Sequence, residues 1–243
     1  MRTRSIIVIL SMAVGLGLLT GRFVLPARSA AAAPPPSATS AATSPAVSPA
    51  AGPMTVQHLL TAAEFRDVGI TRHIYVQDRV GDGRYSNPAC TGEKTLLQTL
   101  GGPRAYFRGL MTSKGTDADD PTLAVNAADQ VAREVAADAD SPAAAQNFAE
   151  RLLLEEVPCQ TEPATHWVYG PTHTINVAPG ITASWMGSYT GDQNTTGTAP
   201  AGKEPCGGIA ILRNGSHYGI LEIDACLGTA AMTRIVRAAV TQL

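Results

Sequence analysis

Apolar side chains recur at helical spacing in "SPAAAQNFAERLLLEEVPC", where Phe148, Leu152 and Leu153 share one side. Ser141 is placed to cap this helix, and Pro142 falls in its first turn, where a missing amide costs nothing. The helix should stop before Pro158 and Cys159. In "SHYGILEIDAC" the period changes to two. Tyr218, Glu222 and Asp224 then fall on one strand face with Ile220 between them, and Leu221, Ile223 and Ala225 on the other, towards a core. "RAYFRGLMTS" alternates as a strand, and "AADQVAREVAAD" reads as another with Gln130, Arg133 and Glu134 outside its apolar face. "TINVAP", "ITASWMGSYT" and "CGGIAILRNG" add further strands, and "TAAMTRIVRAAVTQL" a closing helix. Two short helices precede them. Thr61 and Glu64 form a capping box that predicts a helix from Ala62 to Val68, closed by Gly69. "EKTLLQTL" predicts the second, ended by Gly101-Gly102-Pro103. Helices interspersed with antiparallel strands indicate an α+β domain, an antiparallel sheet packed with several helices.

The pattern fails at the N-terminus. Arg2 and Arg4 flank an uncharged apolar run from Ile6 to Leu19, followed by small residues around Ala30 to Ala32. Residues 1–31 therefore read as a signal peptide or an N-terminal membrane anchor, and both readings stay open. Residues 32–53 are Ala, Pro, Ser, Thr, Gly and Val, with no large apolar side chain to bury, which predicts a disordered linker. Residues 54–243 form one domain, long enough for a sizeable core. Four arginines lie outside it, leaving 14 Lys and Arg against 20 Asp and Glu. An acidic domain without a basic block argues against nucleic acid as a partner.

All four cysteines, Cys90, Cys159, Cys206 and Cys226, fall in this domain. An even number in an exported chain predicts disulfides. Their wide spacing, with no C-x-x-C pair, argues against a metal site, and no cofactor is implied. Three pairings are open, and Cys90–Cys159 with Cys206–Cys226 is favoured. A two-residue turn at Asn214-Gly215 would pair Arg213 with Ser216 and leave Cys206 facing Ile223. Cys226 then lies roughly 10 Å away, beyond bridging distance. The pairing needs a curled strand end, which Gly207-Gly208 can supply.

Catalytic motifs are missing. The five histidines, His58, His73, His166, His173 and His217, sit in no zinc-protease pattern. No nucleophile elbow, P-loop or dinucleotide fingerprint occurs. "GTDADDP" lacks the glycine and third ligand of a calcium loop and reads as a solvated acidic turn. One constellation, Arg213 beside Tyr218, Glu222 and Asp224 on the hairpin's polar side, could line a ligand cleft, and an ordinary solvated face is the simpler reading. Trp167 and Trp185 are candidates for a pocket rim, with core packing the simpler role.

"LLTAAEF" after a Pro-rich tether, "SPAAAQNFAERLLLEEVPC", and "ILRNGSHYGILEIDAC" before a closing helix together resemble the PknH-like extracellular sensor domain family. Its members lie outside the membrane in actinobacterial serine/threonine kinases and in stand-alone exported proteins. The resemblance implies a mixed helix and antiparallel-sheet domain with a cleft, two consecutive disulfides, and no catalytic activity. No kinase domain is legible in the chain, so the expectation is an extracytoplasmic module, secreted or membrane-anchored. Its partners would be an unidentified small ligand or an envelope protein. Two other classes compete. A secreted hydrolase would use His173 or His217, and an envelope scaffold would need no small ligand.

Overall fold

The structure, a computed structural model, describes residues 47–81, 84–87, 92–100 and 104–243, so Cys90 lies outside the described residues. Ten strands appear among these residues: β1 (Tyr75–Gly81), β2 (Arg84–Asn87), β3 (Gly92–Thr95), β4 (Ala105–Met111), β5 (Gln130–Asp138), β6 (Val168–Tyr169), β7 (His173–Ala178), β8 (Ile181–Tyr189), β9 (Gly208–Asn214) and β10 (His217–Ile223). The α-helices are α1 (Ala62–Arg66), α2 (Leu96–Leu100), α3 (Pro142–Glu156) and α4 (Thr229–Gln242). Among the described residues, eight strands form one antiparallel sheet in the order β1-β4-β5-β10-β9-β8-β6, with β7 also on β8, and β2 and β3 form a second, two-stranded sheet. The fold is α+β.

Helices cover both faces of the large sheet. On one, α4 inserts Met232, Ile235, Val236, Ala239 and Val240, at the i, i+3, i+4, i+7, i+8 spacing of a helix stripe, against Leu212, Leu221 and Ile223. Burying each of the larger side chains contributes roughly 1.5–3 kcal/mol. α1 joins this layer through Phe65; its start is the expected capping box, with Glu64 Oε2 accepting from the Thr61 amide at 3.1 Å. On the other face, α3 places Ala145, Leu152 and the edge of Phe148 over Ile211, Tyr218 and Ile220, beside Leu96 and Leu100 of α2.

This second layer corrects an expectation. The side of β10 carrying Tyr218 and Glu222 does not face open water, because α3 lies on it. Ile220, flanked by the two polar positions, is what the helix packs on. Gln130 and Glu134, expected outside the apolar face of β5, are also buried. Asp120 of the acidic turn is buried too, paired with Arg79 at 2.8 Å and accepting from the Thr122 hydroxyl.

The hairpin register differs by two residues from the sequence expectation. Asn214 pairs with His217 and Arg213 with Tyr218, so the turn is Gly215-Ser216. Gly215 has φ +59°, and a side chain there would strike the Ala50 carbonyl, the positive φ a type II′ turn needs at its first position. Asn214 is withdrawn from the turn by other partners: Oδ1 accepts from Ala50 N at 2.8 Å and Nδ2 donates to Val240 O at 3.0 Å. The new register puts Cys206 one residue, not three, from Cys226. Gly207, at φ +77°, completes the curl, and the Cys206–Cys226 disulfide forms. Cys159 is also disulfide-bonded. The fold extends into residues assigned to the linker, since Gly52 O lies 2.9 Å from His217 Nε2.

Candidate functional site

Where β10 ends, its backbone continues along β5, with Asp224 N and Ala225 N both donating to Val131 O. Cavities open on both sides of this segment. The larger, about 470 Å³, is bounded by Gly69–Arg72, Ala127, Ala128 and Asp224–Cys226. The smaller, about 140 Å³, is lined by Trp167, Tyr169, Ser188, Thr190, Glu222 and Asp224, with Cys206 at its edge. Asp224 borders both. The disulfide joins a wall of one to a wall of the other.

Alternation along the strands explains who reaches the smaller cavity. Glu222 pairs across from Ile209, and Ile209 from Met186. Ser188, two residues beyond Met186, therefore points to the same side. β6 pairs Tyr169 with Ser188, and Trp167 packs edge-on to Tyr169 with 5.6 Å between ring centroids. Glu222 is 5% exposed, and Arg133 Nη2 donates to its Oε2 at 2.5 Å. Arg133 Nε lies 3.9 Å from Asp224 Oδ2, which accepts no hydrogen bond among the described residues.

Burial dominates the electrostatics. It pushes the Glu222 carboxyl up to about 8; Arg133 pulls the other way, and Asp224 and Glu156 add to the rise. Burial likewise raises Asp224, against the pull of Arg133. The Tyr169 hydroxyl is driven well above its ordinary range by burial and then by Glu222, Glu156 and Asp224. A perturbed carboxyl in a cavity is a recognised mark of a functional site.

The four residues predicted to share one cleft do not. Arg213 lies opposite Tyr218, four residues or roughly 13 Å along the sheet from Glu222. Its Nη1 donates to Gln146 Oε1 at 3.2 Å, and it lines a separate depression of about 130 Å³ beside α3. Tyr218 is 0% exposed, its ring 4.9 Å from that of Phe148, so it has no face to offer a ligand. Burial raises its hydroxyl, and Asp138 adds to the rise. Glu222 and Asp224 do meet at a cavity. Sequence reasoning missed Tyr169, Ser188 and Thr190, and Arg133 as the carboxylates' counter-ion; Trp167 does line the cavity.

The histidines are engaged elsewhere. His217 holds Nδ1 2.5 Å from Leu243 O and Nε2 near Gly52 O, with His58 edge-on at 4.9 Å. His173 stacks on Trp185 at 4.3 Å.

No protein-family model matches the chain, and no curated protein matches it. Among solved structures, the chain is similar to the crystal structure of the extracellular domain of PknH from Mycobacterium tuberculosis, at 11% identity and a TM-score of 0.48. The match covers 78% of this chain and 96% of that one.

Proposed function

We propose that the protein is an extracytoplasmic, non-catalytic, sensor-like module that binds a small ligand at the end of β10. The observation that carries this reading is the pair of cavities meeting at Asp224, the larger within the usual range for small-molecule sites. Location outside the cytoplasm is supported by the Cys206–Cys226 bridge together with the apolar N-terminal run. The test is a fragment screen on the full chain by ligand-observed NMR. Fragments should bind the wild type and be displaced by Ala128→Trp, which fills the larger cavity from an exposed position. An absence of binders, or binders indifferent both to that change and to Glu222→Gln, would refute the reading.

One observation favours a hydrolase as second reading. A carboxyl whose proton affinity is raised by burial, as that of Glu222 is, could serve as a general acid. Ester, peptide, glycoside and phosphate substrates should nevertheless give only background turnover. Activity abolished by Glu222→Gln would reverse the ranking.

A further inference from the structure

We propose that the smaller cavity is a site for a small organic cation bearing N–H donors, an alkylammonium or guanidinium head group. It would seat against the rings of Trp167 and Tyr169, with Asp224 and Ser188 as its acceptors. This rests on the reading that the end of β10 binds a ligand, and it names the ligand's chemistry.

Three independent features converge. The first is an acceptor with capacity to spare: Asp224 Oδ2 is sealed from solvent, accepts no hydrogen bond among the described residues, and has Arg133 Nε only at 3.9 Å. Ser188 is the second. It is only 4% exposed and lines the cavity, bringing a hydroxyl oxygen to it. Third, two aromatic rings border the same space, and aromatic faces attract cations, more so when water is excluded. Each alternative guest fails on one of these. An anion would meet the Asp224 carboxylate, and the nearby cation, Arg133, is already engaged by Glu222. A neutral polyol could satisfy the hydrogen bonds but would leave Asp224 with only its 3.9 Å contact to Arg133 Nε. A cavity of about 140 Å³ admits a head group of a few heavy atoms, so a longer ligand would extend out of it.

Proton linkage gives the site a signature. Glu222 faces Arg133 of β5, Asp224 beyond β10, Glu156 of α3 and Tyr169 of β6. Its carboxyl, raised to about 8, holds a proton at neutral pH. A bound cation favours the carboxylate, so binding expels that proton. Affinity should therefore rise about tenfold per pH unit below that value and level off above it.

Methylguanidinium, charged throughout this range, is the probe. It is titrated into the full chain at several pH values while the indole N–H resonance of Trp167 is followed. Saturable shifts are expected, tightening with pH. Affinity should fall at least tenfold in Asp224→Asn and about threefold to tenfold in Ser188→Ala. Glu222→Gln should abolish the pH dependence. Glycerol and acetate should leave the resonance unmoved. Methylguanidinium binding that ignores these substitutions, or glycerol binding as well, overturns the proposal. If neutral fragments sensitive to Ala128→Trp bind but no cation does, only this proposal falls. If nothing binds, the reading it rests on falls with it.

Discussion

Glu134 and Glu222 are diagonal neighbours on adjacent central strands, facing opposite sides of the sheet, and burial pushes both carboxyls up to about 8. Their surroundings differ in kind. Glu134, 2% exposed, accepts from Leu60 N at 2.6 Å, while Arg108 spans Leu59 O, Leu60 O and both Asp78 oxygens. Those groups tie the chain before α1 to the sheet. Glu222 instead pairs with Arg133 and borders a cavity with space for a guest. A raised carboxyl is thus a statement about burial, and only the neighbouring void separates a fastening from a site.

The largest test strikes the fastening. Arg108→Met removes the partner of Asp78 and of two backbone carbonyls and should cost about 3–5 kcal/mol in urea unfolding. Methylguanidinium binding by the folded fraction should be unchanged. A loss below about 1 kcal/mol would erase the contrast between the two faces.

The second test strikes the cavity side. Replacing Cys206 and Cys226 together by alanine opens a loop spanning 20 residues and should cost about 3 kcal/mol. Binding should weaken too, since the bridge joins both cavity walls. Non-reducing peptide mapping should recover this pair, and Cys90–Cys159 as the second; recovery of Cys90–Cys226 would contradict the structure.

Third, both carboxyls should appear in the pH dependence of stability. Their folded values lie above the unfolded one, so the native state holds protons that the unfolded chain has released. The stability these two groups contribute is fullest below about pH 4.5 and declines as pH rises towards about 8. Glu134→Gln and Glu222→Gln should each remove about half the slope. Only the second should alter cation binding. Equal effects of both on binding would break the comparison.

The smallest effect belongs to Tyr218→Phe. Its buried hydroxyl makes no hydrogen bond among the described residues, so removal should leave stability unchanged or raise it by up to about 1 kcal/mol. A drop in ligand affinity would instead restore Tyr218 to the site.

What the sequence revealed was local. Thr61 and Glu64 are three residues apart and Ser141 precedes Pro142 directly, so both helix starts could be read, and period-two alternation placed Glu222 beside Asp224. What it hid depends on distant partners. The hairpin register follows from Asn214 reaching Ala50, 164 positions away, and Glu134 is buried because Leu60 N waits 74 positions upstream. Tyr169 enters the site on a strand of two residues, too short to carry any periodicity. Tyr218 was misread because alternation tells which side chains share a face, not what covers it.

β10 also joins two distant places in the fold. One end, at His217, grips Gly52 in the chain leading back to the N-terminus, and the other reaches Asp224 between the two cavities. The two ends are roughly 23 Å apart along an extended strand. Both edges of this strut are laced in register, to β5 and to β9. It cannot slip by one residue without turning every buried side chain to the wrong face. The contact with Gly52 and the cavity residue Asp224 are thus held at the two ends of one register-locked strand.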